Sequence, residues 1–170
     1  MTVSEAILSR RSIRKYKPGA ITEEQLKIML NAAMHAPSAR NTRPWSFIAV
    51  TDRAQIDRLN EVMKANHFKQ AAAVIIVVAL PERQIGLCEG NHLNDCGAAA
   101  QNILLQAWEM GIGTVWCGLY PVEERMKGAY DVFGIPEGAL PFCAIAMGIP
   151  DESPAAKGKY EEELVHWNKW

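Results

Sequence analysis

The stretch DCGAAAQNILLQAWEMGIGTVWCG, residues 95–118, decides how this chain is built. From Asn91 to Met110 the apolar residues recur at helical spacing, and Gly111 with Gly113 supplies the stop signal. At a rise of ~1.5 Å per residue the helix runs about 29 Å, the width of a small domain. Ala98, Ala99, Ala100, Ile103, Leu104, Leu105, Ala107 and Trp108 leave only a thin polar stripe through Gln101, Gln106 and Glu109. A helix apolar on most sides must be covered on most sides. Two covers are open: a second copy of the chain, or the chain's own layers wrapped right round it. After the glycines, Val115 to Leu119 reads as a strand.

Working outward, Thr2 with Glu5 and Thr22 with Gln25 fit the capping box and predict two early helices. Leu26, Met29, Leu30 and Ala33 carry the second, which Pro37 stops, and a loop from Ser38 to Pro44 follows. Ser46 to Thr51 reads as a strand, Asp52 caps a helix with Ile56, Leu59 and Met63, and Val74 to Ala79 is the β-branched run of a buried strand. Val122 to Tyr130 predicts a further helix and Phe142 to Met147 a final strand. The alternation implies layered helices and strands in one domain, residues 1–170. The polar tail beyond Gly148 ends with Leu164, Val165, Trp167 and Trp170, which need something to bury against, either a neighbour or the chain's own body.

Composition narrows the partners. A net charge of -1 gives no general attraction to nucleic acid or to an anionic membrane, and no apolar run approaches the ~20 residues that span a bilayer. Four cysteines without regular spacing, and no secretory leader pattern, predict reduced thiols in the cytoplasm. Cys88, His92 and Cys96 fall at i, i+4 and i+8, but two helical turns put the outer pair about 12 Å apart, too far to share a zinc ion, so no metal site is expected.

Two segments could carry chemistry. Arg10, Arg11, Ser12, Arg14, Lys15 and Lys17 combine guanidinium forks with a hydroxyl, which suits a phosphomonoester, although such a run is more often a solvated face. The loop PSARNTRPW at 37–45 offers Asn41, donor and acceptor at once, to the edge of a heteroaromatic ring; its bland reading is a proline-rich turn into a strand. Cys117 is a nucleophile only with a base nearby, and a small buried strand residue is the stronger reading. No nucleophile elbow, phosphate loop or dinucleotide fingerprint is present.

Taken in order, SRRSIRKY at 9–16, HAPSARNTRPW at 35–45, the 95–118 stretch and AKGKY at 156–160 resemble the nitroreductase family along nearly the whole chain. The resemblance implies an α+β fold with a central, mostly antiparallel sheet flanked by helices. It also implies a homodimer, with the long helix at the interface, a C-terminal arm reaching the partner, and FMN between the subunits. By position it assigns Arg10, Arg11, Ser12 and Arg14 to the phosphate and ribityl chain, and Lys157 and Lys159 to the phosphate. Pro37, Ser38, Ala39 and Asn41 would reach the flavin from the other subunit. Trp116, Gly118 and Leu119 would lie beside the ring, with a backbone N–H near N5; Asn66 and Lys69 match a further flavin-contacting pair less closely in spacing. The flavin then carries the chemistry without a catalytic acid or base, passing hydride from NADH or NADPH to a quinone, nitroaromatic or similar small acceptor in a ping-pong cycle. Alternatives are a flavin-binding or sensing protein with little turnover, another flavin reaction such as reductive dehalogenation, and a polyanion binder. Two departures stand out: Arg43 replaces the glutamine usual before Pro-Trp, and the segment before the long helix is reduced to about 81–90.

Overall fold

Both threonine boxes close. Thr2 Oγ1 accepts from Glu5 N while the Glu5 carboxylate accepts from Thr2 N at 2.7 Å, and Thr22 and Gln25 repeat the exchange. Each pair satisfies two backbone donors that a helix start leaves over. They open α1 (Val3–Ser9) and α2 (Glu23–Met34) in the computed structural model, which describes residues 1–84, 86–156 and 158–170. Asp52 accepts from Gln55 N and starts α3 (Arg53–Met63). A five-residue helix, α4 (Asn66–Gln70), falls below the length at which periodicity is readable. The long helix is α5 (His92–Glu109), and α6 (Glu123–Phe133) ends at a left-handed Gly134.

The sheet comprises β1 (Tyr16–Lys17), β2 (Trp45–Val50), β3 (Ala73–Ala79), β4 (Gly113–Gly118) and β5 (Leu140–Pro150). Its order is β1-β5-β3-β2 with β4 also on β5, and every pairing of named strands is antiparallel. β5 is longer at both ends than its apolar run because it serves three neighbours. Gly148 and Pro150 look like breakers in the sequence yet belong to the strand. At Gly148 the reason is a close approach: a Cβ there would lie 2.9 Å from Tyr16 Cγ.

β3 is buried along its whole length, so its residues divide between two cores by strand alternation. Ile75 and Val77 join Ile145 and Met147 under α2 and α5, against Met29, Ala33, Ala99, Ala100, Ile103 and Ala107. Val74, Ile76 and Val78 turn to the other face, against Ile56 and Leu59 of α3, Phe68 of α4 and Ala129 of α6. The sheet is thus the middle of three layers. The chain covers one face of α5 itself; Ala98, Leu105 and Asn102 on its outer side stay half-exposed.

The chain also leaves apolar groups in water. Val3, Ile7 and Leu8 of α1 are exposed, as are Tyr160, Leu164, Trp167 and Trp170 of the tail. Trp167 is 81% and Trp170 101% exposed, so the tryptophans at the end of the tail do not pack back on the body.

Candidate functional site

After α1 the chain crosses the outer edge of β4. Ser12 forms a parallel bridge with Thr114, and Ile13 N donates to Thr114 O at 2.9 Å. Ile13 and Tyr16 turn inward and are buried, which leaves Arg14 and Lys15 outside. Glu152, just past β5, accepts from the backbone N–H groups of both Arg14 and Lys15. The Tyr16 hydroxyl donates to Ile13 O at 2.7 Å, and burial keeps that phenol protonated.

A cavity of about 970 Å³ opens beside this segment. Arg10, Arg11, Ser12, Arg14 and Lys15 line it together with Asn66, His67, Lys69 and Gln70 of α4, Glu152, Pro154 and Lys159. Six cations therefore face one carboxylate, in a chain whose net charge is only -1. Burial, then the neighbouring Arg11 guanidinium, lowers the pKa of Arg10, so an anion in the cavity would relieve both strains. Arg11 is engaged differently: its guanidinium donates to Leu8 O, Arg10 O and Ala155 O and ties the segment to the tail.

The edge of β4 continues the site. Leu119 N donates to Phe142 O, and antiparallel pairs alternate between hydrogen-bonded and open. Thr114, Trp116 and Gly118 therefore direct their backbone groups away from β5. Two bonds agree with this phase: Thr114 O receives Ile13 N, and Gly118 O receives Arg125 Nη1 of α6 at 3.0 Å. The N–H groups of Trp116 and Gly118 face outward on the same side. Leu119, assigned by resemblance to the ring, is fully buried with its N–H committed to Phe142.

Between Trp116 and Gly118, Cys117 meets His67, with Nε2 3.1 Å from Sγ. Sequence reading offered Cys117 no base; the structure supplies an imidazole from α4. Burial nevertheless pushes the thiol up to about 11 and lowers the histidine, so this is a neutral pair rather than a thiolate–imidazolium couple.

The loop of residues 37–44 lies elsewhere and lines none of the cavity of its own chain. Arg40, Asn41 and Arg43 all have positive φ, between 50° and 56°. Left-handed backbone costs a residue with a Cβ roughly 1–2 kcal/mol, so the loop is held rather than relaxed. Asp95 Oδ2 accepts from Ala39 N at 3.0 Å, Ser38 Oγ accepts from Arg43 N at 3.0 Å, and Arg83 Nη1 donates to Arg43 O at 3.1 Å. Pro37 and Asn41 are left exposed.

Of the residues singled out from the sequence, the structure gathers Arg10, Arg11, Ser12, Arg14, Asn66, Lys69 and Lys159 round one hollow; Trp116 and Gly118 lie on β4 and do not line it. The structure sets Pro37, Ser38, Ala39 and Asn41 apart, and Lys157 lies outside the described residues. Sequence reading passed over His67, Gln70 and Glu152, polar residues in short or irregular segments with no periodic signal. Sequence reading also passed over Asp95, whose signal was a carboxylate in the first turn of a largely apolar helix. Among the described residues no cluster of ligands suits a metal ion.

The nitroreductase family model matches residues 7–78 and 63–149. The chain belongs to the nitroreductase family. A Methanothermobacter thermautotrophicus relative, provisionally named an NADH dehydrogenase/NAD(P)H nitroreductase, is 40% identical over 170 residues, covering 100% of this chain and 88% of that one. The solved FMN-dependent nitroreductase of Clostridium difficile superposes with a TM-score of 0.90 at 29% identity, over 99% of this chain and 100% of the other. The Vibrio harveyi NADPH:FMN oxidoreductase, solved with NAD+, gives 0.86 at 26% identity over 98% and 77%. The α+β antiparallel architecture is that of these nitroreductases, and no helix among the described residues is long and apolar enough to cross a membrane.

Proposed function

We propose that this nitroreductase is an NAD(P)H-dependent flavin oxidoreductase that holds FMN between two copies of the chain. The observation that carries the reading is the convergence of six cations on one hollow, tied to the outer edge of β4 through Ser12 on Thr114 and His67 on Cys117. The residues present fit the group. Arg10, Ser12, Arg14 and Lys159, with Lys157, would hold the phosphate end; Asn66 and Lys69 offer a donor-acceptor pair and a cation to the ring's polar edge. Arg11 supports them by fixing the segment to the tail. The outward N–H of Trp116 or Gly118 would donate to N5. When bound, FMN supplies two-electron redox chemistry, with NADH or NADPH as donor and a quinone or nitroaromatic as acceptor, each using the site in turn.

Retention at micromolar affinity requires about 8 kcal/mol, and charge-assisted phosphate bonds contribute roughly 1.5–3 kcal/mol each. Two or three such bonds supply about half, before the costs of binding. Burial of the ring supplies the remainder, and a hollow this open on one chain needs a second surface. Pro37, Ser38, Ala39 and Asn41 of the partner copy form that surface in this reading. The exposed α1 face, the outer side of α5 and the tail support such an assembly, the tail acting as an arm across the neighbour. The short 81–90 segment leaves room for varied acceptors.

The test is the visible spectrum of purified protein under anaerobic conditions. A bound flavin band that bleaches with NADPH or NADH and returns with a quinone is expected. A band inert to both nicotinamides would indicate a flavin binder without turnover, and protein that takes up no FMN would end the reading.

A further inference from the structure

We infer that Asp95, acting through Gln84, is a positioning residue that sets the shape of the loop offered to the flavin. The inference rests on the flavin reading above. The loop's turn, Ala39–Thr42, closes through Thr42 N on Ala39 O at 3.1 Å, and its central residues Arg40 and Asn41 have φ of 51° and 56°. Turns of this hand favour Asn-Gly or Gly-Gly at their centre, because both central residues need a positive φ, which Gly and Asn adopt most readily. An arginine there does not adopt the conformation unaided. Something outside the loop must impose it.

The constraint is a closed ring of hydrogen bonds. Asp95 Oδ2 accepts from Ala39 N at 3.0 Å and from Gln84 Nε2 at 2.7 Å. The second hydrogen of Gln84 Nε2 goes to Thr42 Oγ1 at 3.1 Å, and the Thr42 hydroxyl donates to Ala39 O at 2.9 Å. Ala39, the residue that enters the left-handed pair, is therefore gripped at both its N–H and its C=O. The carboxylate also fixes the polarity of the ring. If the Gln84 amide turned over, Oε1 would face Oδ2 of Asp95, and two acceptors would repel.

Gln84 shows that this orientation matters. The residue is 3% exposed, and its Oε1 is buried with no hydrogen-bond partner among the described residues. Turning a buried acceptor away from the protein's donors is costly, and the orientation persists because the amide's two donors are both committed. Asp95 is itself 8% exposed and sits in the first turn of α5, where the helix N-terminus favours a negative charge. Neither Asp95 nor Gln84 lines the basic cavity, so their effect on a ligand passes through the loop. The structure thus stores the loop's shape in a buried carboxylate one layer behind it, which lowers the ordering cost when a planar ligand arrives.

The test compares Asp95→Ala, which removes the acceptor, with Asp95→Asn, which keeps an oxygen in the same place. Amide hydrogen exchange of the flavin-free protein reads the loop, with β3 as the internal control; flavin fluorescence quenching reads the affinity for FMN and for riboflavin. Asp95→Ala should speed exchange at 38–43 while β3 stays protected, and weaken both flavins by the same factor, about tenfold or more. Asp95→Asn should stay within about threefold of the parent. Arg14→Ala provides the contrast: it should weaken FMN far more than riboflavin, which has no phosphate. Thr42→Val cuts the same ring at a half-exposed position, so the question remains answerable if Asp95→Ala folds poorly, and it should move in the same direction. Unchanged exchange at 38–43, or unchanged flavin affinity in both Asp95→Ala and Thr42→Val, overturns the inference. Parent protein that takes up neither flavin overturns the flavin reading instead, and that outcome is visible before any variant is made.

Discussion

At the scale of single residues, burial settles the protonation of three thiols and of His67. Burial holds the thiols of Cys96 and Cys117 up to about 12 and about 11, and pushes Cys143 well above 9.0. It lowers His67 below 6.5. The signs follow from linkage. The unfolded chain ionises its thiols first as pH rises, so their contribution to stability is complete below 9.0 and declines above it. For His67 the unfolded chain binds its proton first as pH falls, so stability is complete above 6.5 and declines below it. Urea midpoints of flavin-free protein should therefore be level between these limits and fall on either side. Cys117→Ser should flatten part of the alkaline limb, and His67→Gln part of the acid limb. Equal midpoints at pH 7 and pH 10 would contradict the burial of these thiols.

Residue identity also explains what the sequence disclosed of the site. Arg10, Ser12 and Arg14 put guanidinium forks and a hydroxyl in one short segment, a pattern that is more often a solvated face, and it is the resemblance that assigns them to a phosphate. Asn66 and Lys69 have no such local signature, and only the fold brings α4 against that segment. The Cys117–His67 pair is invisible for the same reason, since fifty positions separate its members and no periodicity links strand to helix. Leu119, which the resemblance sets beside the ring, is buried, and strand alternation turns its N–H toward Phe142.

At the scale of elements, capping chemistry and apolar periodicity were enough to read α1, α2, α3, α5, α6 and β3 to within a few residues. The glycines misled at strand ends. Gly111 does end α5, with a φ of 72°, but Gly113 is already the first residue of β4. Its role is clearance rather than flexibility: a Cβ there would lie 2.8 Å from Ile13 Cγ2, and Ile13 is the residue that docks the cationic segment on β4. Gly113→Ala should therefore push that segment outward, costing about 1–3 kcal/mol of stability. For a chain of this size that corresponds to a fall in Tm of several degrees, readable by calorimetry. FMN affinity should drop with it, and a variant with unaltered melting and binding would show that the segment is not held by this contact.

At the scale of the whole molecule, three layers account for the sheet and its two cores but leave α1, the outer side of α5 and the tail without cover. The sequence raised both covers for α5; the fold shows that its own layers supply one side. In the proposed assembly the tail is the strap. Removing residues 160–170 should shift the sedimenting species from twice 18.8 kDa toward a single chain and release flavin in the same step. A shortened protein that remains paired and yellow would assign the contact to the helices alone.

Trp167, 81% exposed, and Trp170, 101% exposed, carry a practical consequence. Indole emission moves to shorter wavelength when water leaves the ring, so a solitary chain should glow red-shifted and an engaged one blue-shifted. Dilution followed by fluorimetry would then report subunit exchange in real time, with no label attached.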